Sequence, residues 1–398
     1  MKRKSLFQRN RRDDKGRDAE RFAREGRFFT RGSVSQIEED RTLIPVTVLT
    51  GFLGSGKTTL LAKLLLRPEL ADSAVLVNEV GEVAIDHHLV RKVRDEMVVM
   101  ANGCLCCRVR SDLVDALRGL LFNRGRNSVA RYPRVFIETS GLAEPAPVLH
   151  ALTNDPYVLQ HYRLDGIVAT VDAMFGASQL DRHRESVKQA AVADRLVVTK
   201  ADLASKETRT ALATRLRQIN PGSPLLFAQH GEISPSEILN TDLASAARNS
   251  WQAKRWIAAD RYTKFGFKAG VKAPPAAEHD DKVRSFVMHA ERPLAPQRLL
   301  AVLEMLCAVY GDKILRVTAI LTLEGPEEPQ ILHIVQHMVY PLIRLDAWPD
   351  DDRRSSLVFI VHDLDPAHVH TALAGVLGHA ALPAPLSAST SNPKESFA

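Results

Sequence analysis

Ile44-Pro-Val-Thr-Val-Leu-Thr50 leads directly into Gly51-Phe-Leu-Gly-Ser-Gly-Lys57-Thr58-Thr59, and this junction decides the fold. The first segment is mostly apolar and β-branched, which predicts a buried strand that ends at Thr50. The second begins with the pattern GxxxxGK[ST], and apolar residues at helical spacing follow over 58–66. A strand, a glycine-rich turn and a helix in this order predict a loop whose backbone N–H groups surround phosphate groups.

The residue types of this loop suit the binding of a nucleoside triphosphate with Mg²⁺. Glycines let the chain turn its N–H groups towards the phosphates, and the helix N-terminus adds a partial positive charge. Lys57 is expected to neutralise the β- and γ-phosphates, and Thr58 is expected to offer its hydroxyl to Mg²⁺. The candidate nucleotide-binding residues in this loop are Gly51, Gly54, Ser55, Gly56, Lys57, Thr58 and Thr59.

Short apolar runs alternate with helical patterns from this loop to about residue 240. Because alternating strands and helices are typical of βαβ units, we predict an α/β fold with a mostly parallel, doubly wound sheet. The predicted strands cover residues 44–50, 74–78, 97–100, 135–138, 166–171, 195–199 and 225–228. The predicted helices cover residues 58–66, 113–122, 186–193 and 206–219.

A second, smaller α+β domain with an antiparallel sheet is predicted after a polar segment that contains Pro274 and Pro275. Its strands are expected at 283–288, 314–323, 330–336 and 357–361, and its helices at 296–309 and 366–377. The expected organisation is a basic, disordered arm (1–42), a P-loop domain (43–240), a linker (241–282), the second domain (283–378) and a disordered tail (379–398).

The positive charge of the chain is concentrated at its start. Residues 1–45 contain 13 Lys and Arg against 8 Asp and Glu, which gives them +5 of the chain's net +6. The remainder is therefore close to neutral, which argues against nucleic acid as a partner of the folded part. No apolar run approaches the ~18 residues of a membrane span, and no secretory signal is evident, so we expect a cytoplasmic protein without a membrane partner.

A second nucleotide element, Thr199-Lys200-Ala201-Asp202, stands at the end of a predicted strand. Its position and shape are those of the guanine-reading motif, which is usually Asn-Lys-x-Asp. A carboxylate at Asp202 can accept hydrogen bonds from N1–H and the 2-amino group of guanine, whereas adenine would leave it unpaired. We therefore predict a GTPase in which Thr199, Lys200 and Asp202 form the guanine site, with Thr199 forgoing one amide contact.

Two acidic segments are candidates for the hydrolytic machinery. Val135-Phe-Ile-Glu138 is a strand that ends in an acid expected to hold Mg²⁺, and the N–H of Gly141 is expected to sense the γ-phosphate. Asp86 follows a strand where a switch is expected and is the candidate for positioning the attacking water; a solvated acidic loop is the alternative. The catalytic candidates are thus Lys57, Asp86, Glu138 and Gly141, and the candidate Mg²⁺ ligands are Thr58 and Glu138.

Cys104, Cys106 and Cys107 lie within four residues, on a glycine-introduced loop. Soft thiolates select Zn²⁺, Cu⁺ or iron over Mg²⁺, and three of them leave a fourth position for water, Glu82 or a partner's ligand. We therefore predict a transition-metal site with Cys104, Cys106, Cys107 and Glu82 as candidate ligands. Buried inert cysteines and a redox dithiol are the alternatives. The fourth cysteine, Cys307, is expected to fill the core.

Five motifs together resemble a known family. They are Gly51-Phe-Leu-Gly-Ser-Gly-Lys-Thr-Thr-Leu60, Asn78-Glu-Val-Gly-Glu82, Gly103-Cys-Leu-Cys-Cys107, Glu138-Thr-Ser-Gly-Leu-Ala-Glu-Pro145 and Val171-Asp-Ala173, in that order. This set resembles the CobW-type GTPase family of metallochaperones and metal-insertion factors, in its YjiA-like branch, which also carries Thr at the first position of the guanine motif. The resemblance covers about residues 44–375. It includes segments similar to the CobW C-terminal domain: Lys313-Ile-Leu-Arg316, Gln336, Trp348 and Ser356-Leu-Val-Phe-Ile360.

The resemblance implies slow hydrolysis of GTP with Mg²⁺, binding of Zn²⁺ (or Co²⁺ or Fe²⁺), and nucleotide-dependent delivery of that metal to a client metalloprotein. It also permits homo-oligomers that depend on metal or nucleotide. Two features depart from the family pattern. The His-rich segment that many members carry is absent, since the linker holds only His279, and the family's Arg-x-Lys-Gly reads Arg316-Val-Thr-Ala319. A P-loop kinase and a nucleotide-dependent regulator with a structural zinc remain the alternative functions.

Overall fold

The computed structural model describes residues 43–77, 97–99, 106–125, 132–239, 283–348 and 351–378. The expected arm at 1–42, linker at 241–282 and tail at 379–398 lie outside these residues, as does the acidic segment 78–86. Within the described ranges, no helix is both long enough and apolar enough to cross a membrane.

The described part of the P-loop region contains a sheet of seven parallel strands, as the alternating pattern predicted. The strands are Ile44–Gly51 (β1), Ala74–Val77 (β2), Met97–Val99 (β3), Val135–Glu138 (β4), Tyr162–Asp172 (β5), Arg195–Thr199 (β6) and Leu225–Phe227 (β7). Their order across the sheet is β3-β2-β4-β1-β5-β6-β7. Strand β1 therefore lies in the centre, and its mostly apolar side chains are buried on both faces.

Helices connect these strands. They are Lys57–Leu65 (α1), Cys106–Gly125 (α2), Ala146–Asn154 (α3), Pro156–His161 (α4), Gly176–Arg182 (α5), Arg184–Val192 (α6), Lys206–Ile219 (α7) and Pro235–Ile238 (α8). Buried residues of α1 pack with β1 in one core cluster, and buried residues of α6 and α7 pack with β5 and β6 in another.

The register of the central strands brings their carboxyl ends to one edge of the sheet. The pairs near this edge are Leu49 with Glu138, Gly51 with Thr170, and Asp172 with Thr199. In open parallel sheets, ligands bind outside the carboxyl ends of the strands. The register therefore places the glycine-rich loop, the acid of β4 and the guanine-motif segment beside one another.

The second sheet is antiparallel and carries helices on one face. Its strands are Val283–Ala290 (β8), Ile314–Leu321 (β9), Gln330–Val335 (β10), Met338–Val339 (β11), Ile343–Arg344 (β12) and Ser355–His362 (β13), and its helices are Pro296–Tyr310 (α9) and Pro366–Leu377 (α10). The order is β11-β10-β9-β13-β8, with β12 paired to β10. Leu299, Leu303 and Leu373 of the helices share a core with Phe286 and Phe359 of the sheet. This arrangement confirms the predicted α+β second domain.

The second sheet also packs directly on the P-loop domain. Leu315 and Ile360 share a core cluster with Ala190 of α6 and Leu212 of α7. Further along the sheet, Val335 and Met338 belong to the core that surrounds β1 and α3. Apolar burial of this kind stabilises the contact between the two parts.

Two elements, α2 and β5, begin four or more residues earlier than their sequence patterns predicted. Helix α2 starts at Cys106 instead of residue 113, so Cys106 and Cys107 lie in its first turn and not on a loop. No glycine or proline stands between Cys107 and Leu113 to stop a helix. Strand β5 starts at Tyr162 instead of residue 166, because Asp165, which interrupts the apolar run, is fully buried in an ion pair with Arg134.

Asn220, which directly follows helix α7, donates hydrogen bonds to carbonyl groups at the carboxyl end of helix α6. It is 2% exposed, and its Nδ2 lies 3.0, 3.0 and 2.9 Å from the carbonyl oxygens of Ala190, Ala191 and Ala193. The last carbonyl groups of a helix have no partner within the helix, so a buried helix end needs donors of this kind.

We predict that Asn220→Ala lowers the free energy of unfolding by about 3 kcal/mol, since it leaves buried carbonyl groups without a donor. Urea unfolding of the full chain measures the change. Thr214→Ala, which removes an exposed hydroxyl from α7, is the control and should change stability by about 0.5 kcal/mol or less. Equal effects of the two substitutions would contradict this role of Asn220.

Candidate nucleotide-binding site

The glycine-rich loop needs glycine at three positions. Gly51, Gly54 and Gly56 have φ values of 139°, 71° and 84°, a region that other residues rarely adopt. Gly51 also lies against β5, where an added Cβ would meet the Thr170 carbonyl oxygen at 2.4 Å. The hydroxyl of Ser55 is 2.7 Å from that of Thr170, and its N–H donates to a loop carbonyl, so Ser55 braces the loop from within.

Helix α1 begins directly after this loop, and its N-cap residue makes no side-chain hydrogen bond to the first N–H groups. Gly56 at the N-cap is in the left-handed conformation and supplies no side-chain acceptor. Uncapped N–H groups and the positive end of the helix dipole form a site for anions. Lys57 is 8% exposed, and its Nζ lies 3.0 Å from the Gly51 carbonyl oxygen and 3.3 Å from that of Phe52. Its charge is therefore held against the first carbonyl groups of the loop.

The two candidate Mg²⁺ ligands lie next to each other. Thr58 Oγ1 donates to Glu138 Oε1 at 2.5 Å, and Glu138, at the end of β4, is 5% exposed. A hydroxyl and a carboxylate oxygen are ligand types that Mg²⁺ accepts beside phosphate oxygens. The residues present at this edge of the sheet therefore fit a Mg²⁺–nucleotide.

Gly141 lies against the glycine-rich loop. An added Cβ at Gly141 would lie 2.7 Å from the backbone nitrogen of Leu53, a distance that real Cβ atoms do not tolerate. Thr139 fixes the start of the same turn, since its N–H donates to the Leu49 carbonyl at 2.9 Å and its hydroxyl to that of Thr50 at 2.9 Å. The structure therefore brings the predicted γ-phosphate sensor to the nucleotide-binding loop.

The guanine-motif segment is anchored to the same loop by two side chains. Thr199 Oγ1 donates to the Ser55 carbonyl at 2.7 Å, which gives threonine a structural contact at the position usually held by asparagine. Lys200, with φ 53°, reaches the Gly54 carbonyl at 2.9 Å and Asp172 Oδ2 at 2.6 Å. Asp172 was not among the site residues predicted from the sequence. It is the last residue of β5, which pairs with β1, and this position at the carboxyl edge of the sheet could have indicated a role in the site.

Asp202, the last residue of the guanine-motif segment, favours the ionised form of its carboxyl group. Its Oδ1 accepts from the backbone N–H of His230 at 3.2 Å, and its Oδ2 is 3.4 Å from His230 Nδ1. The N–H of His230 lowers the pKa of the Asp202 carboxyl below its usual value. The carboxylate is the form that can accept from guanine. His230 follows β7 and was not predicted from the sequence, because its contact with Asp202 joins residues 28 apart.

The remaining predicted residues cannot be placed. Asp86, Glu82 and Cys104 lie outside the described residues, and of Cys106 and Cys107 the structure gives only a helical backbone. Within the described ranges, no group of three or more His, Cys, Asp or Glu side chains is arranged to hold a metal ion. The transition-metal site therefore stays a prediction.

The sequence matches two family models, one over the domain with the parallel sheet and one over the domain with the antiparallel sheet. Residues 45–227 match the model described as CobW/HypB/UreG, nucleotide-binding domain, and residues 283–377 match the cobalamin synthesis protein cobW C-terminal domain. The zinc chaperone YjiA of Escherichia coli strain K12 is 31% identical over 333 residues, which are 84% of this chain and 98% of that protein.

The chain belongs to the CobW family. A crystal structure of Zn(II)-bound YjiA GTPase from E. coli matches this CobW-family chain with a TM-score of 0.62 at 26% identity, over 84% of this chain and 99% of that one. The zinc-regulated GTPase metalloprotein activator 1 of Dictyostelium discoideum is 29% identical over 305 residues, which are 67% of this chain and 61% of that protein. These matches confirm the family resemblance and support a GTPase.

We predict that Asp202→Asn weakens GTP binding by about 100-fold or more and creates binding of xanthosine triphosphate (XTP). The amide oxygen of asparagine can still accept a hydrogen bond from N1–H of the base. Its NH₂ group, however, would face the 2-amino group of guanine, which is also a donor. Xanthine instead has a carbonyl oxygen at C2, which can accept from this NH₂ group. Calorimetric titration with GTP, ATP and XTP measures the change. Asp181→Asn, an exposed site on α5, is the control. Equal GTP and ATP affinities in the wild type would contradict the guanine assignment.

Proposed function

We propose that this CobW-family protein is a slow GTPase and a cytoplasmic metallochaperone, which binds Zn²⁺ at its Cys-x-Cys-Cys segment and passes it to a client metalloprotein in a nucleotide-dependent way. The observation that carries the nucleotide part is the common edge of β1, β4, β5 and β6, where Lys57, Glu138 and the Thr199–Asp202 segment meet. The metal part is supported by the relatives, among them a zinc chaperone.

In this proposal, the loop holds the GTP phosphates and the end of β6 holds the base. Lys57 neutralises the β- and γ-phosphates, and the uncapped N–H groups of α1 donate to their oxygens. Mg²⁺, held by Thr58 and Glu138, would supply further charge neutralisation at the phosphate oxygens. The N–H of Gly141 contacts the γ-phosphate, and Asp86 orients the attacking water.

Slow hydrolysis suits a switch, because the GTP-bound state must persist long enough to act. A ligand shifts a conformational equilibrium only through its different affinities for the two states. GTP differs from GDP by its γ-phosphate. Because the N–H of Gly141 is proposed to contact this phosphate, the turn at Gly141 is expected to differ between the GTP-bound and GDP-bound states.

Zn²⁺ is the cargo in this proposal, with Co²⁺ or Fe²⁺ as alternatives, and Cys104, Cys106, Cys107 and Glu82 are its ligands. Three thiolates and one carboxylate oxygen make a tetrahedral set that Zn²⁺ accepts. A carboxylate that a partner's ligand can displace leaves a route for transfer to the client.

We predict that changing Cys104, Cys106 and Cys107 together to Ser abolishes tight Zn²⁺ binding and leaves GTP binding intact, since serine supplies no thiolate. Metal analysis after equilibration with Zn²⁺, alongside GTP titration, measures both. Cys307→Ala is the matched control, because this thiol is 3% exposed on α9 and burial raises its pKa to about 12. Retention of stoichiometric Zn²⁺ in the triple variant would contradict the proposed metal site.

A further inference from the structure

Helix α6 carries two long polar side chains into the interior. Lys188 is 3% exposed and Gln189 is 1% exposed. Burying an ammonium or an amide group is unfavourable unless its hydrogen bonds are satisfied. The partners of these two side chains therefore identify the part of the structure that the helix holds in place.

Both side chains bond the turn that follows β4. Gln189 Nε2 donates to the carbonyl oxygens of Gly141 at 3.2 Å and Ala143 at 3.0 Å. Lys188 Nζ lies 2.5 Å from Glu144 Oε1 in an ion pair whose lysine side chain is 4% exposed. One helix thus fixes three residues of the turn that is proposed to contact the γ-phosphate.

The amide of Gln189 meets only its donor requirement. Its Oε1 is buried and has no hydrogen-bond partner among the described residues. An unsatisfied buried acceptor is rare in native proteins and unfavourable for stability. An apolar side chain of the same length would avoid this penalty, so the two donated bonds to the turn are the contribution that glutamine makes here.

The same turn lies directly against the nucleotide-binding loop. An added Cβ at Gly141 would lie 2.7 Å from the backbone nitrogen of Leu53, so the two backbones are in close contact. The bonds from Gln189 therefore act on a turn that packs on this loop.

The carboxyl end of α6, a few residues beyond Gln189, is bonded by the second domain. Arg316 of β9 donates through Nη1 to the carbonyl oxygens of Val192 at 2.8 Å and Ala193 at 3.0 Å, and through Nη2 to Asp194 Oδ1 at 2.8 Å. Asp194 Oδ2 in turn accepts from the N–H of Ile167 in β5 at 2.8 Å. The guanidinium fork thus joins the second sheet to the end of α6 and to the first sheet.

We propose that Gln189 is a positioning residue that holds the Gly141 turn where its N–H can meet the γ-phosphate, and that α6, fixed by Arg316, connects this turn to the second domain. This inference rests on the proposed GTPase function. Because coupling between sites is reciprocal, a second domain that stabilises α6 favours GTP binding, and bound GTP favours that arrangement of the second domain.

The first test compares nucleotides that differ in the γ-phosphate. In Gln189→Met, a side chain of similar length without donors, the affinity for the non-hydrolysable analogue GMPPNP should fall roughly tenfold, while the affinity for GDP should change less than about twofold. The turnover number for GTP should fall in step with the GMPPNP affinity, since both need the γ-phosphate contact. Calorimetry of the full chain with Mg²⁺ gives the affinities.

Gln218→Met, an exposed glutamine on α7, is the matched control and should leave both affinities unchanged. A purely structural role for Gln189 would weaken GDP and GMPPNP equally, and that result would overturn the proposal, as would no change in either. If the Met variant does not fold, Gln189→Asn carries the same test, because its shorter amide keeps the polarity but does not reach both carbonyl groups.

The second test concerns the connection to the second domain. Arg316→Lys keeps a positive charge beside the buried Asp194 but removes the planar fork that reaches both carbonyl groups. We expect the ratio of GMPPNP to GDP affinity to fall roughly threefold, less than in Gln189→Met. An unchanged ratio would overturn the connection through α6.

The wild-type chain separates the two hypotheses. If it binds neither GDP nor GMPPNP, the proposed function fails. If it binds both and the Gln189 and Arg316 variants keep the wild-type ratio, only the inference drawn from α6 fails.

Discussion

The shared register of four parallel strands is the constraint on which this structure depends. Strand β1 lies between β4 and β5, and the residue that ends it, Gly51, fits against Thr170 only because it has no Cβ. The same register sets Glu138 beside the start of α1 and Thr199 beneath the loop. Backbone pairing therefore brings the parts of the candidate site for phosphates, a divalent ion and a base to one edge of the sheet, and side-chain contacts such as that of Thr199 with the Ser55 carbonyl anchor them there.

The second domain is joined to this site by polar contacts as well as by its apolar face. At the end of α6, Arg316 donates to the carbonyl groups of Val192 and Ala193, and Asn220 donates to those of Ala190, Ala191 and Ala193. Where the family pattern has lysine, Thr318 accepts from Arg316 Nε at 3.3 Å, which supports the guanidinium without a second buried charge. Removing one partner of such a buried pair is strongly destabilising, because it leaves the other charge buried without compensation.

The sequence predicted the elements whose signals are local. The glycine-rich loop, strand β4 and helix α7 each carry their pattern within a few residues, and the structure has them at or within one residue of the expected bounds. The contacts that were missed join distant residues. Asp165 interrupts an apolar pattern until Arg134 pairs with it, and Gln189 has no local feature that indicates its bonds to the turn at Gly141. The metal ligands were proposed from residue type, spacing and the family resemblance, and the described residues do not test them.

A nucleotide-driven metallochaperone requires that nucleotide binding and metal binding be coupled, and a Zn²⁺ competition titration tests this coupling most directly. Zn²⁺ affinity is measured on the nucleotide-free chain, with Mg²⁺–GDP and with Mg²⁺–GMPPNP, and GMPPNP affinity is measured with and without Zn²⁺. We predict that Zn²⁺ affinity differs between the GDP and GMPPNP states by roughly 5–150-fold, and that Zn²⁺ changes the ratio of GMPPNP to GDP affinity by the same factor. Identical Zn²⁺ affinity in all three states would describe a GTPase that contains zinc and would contradict a nucleotide-driven metallochaperone.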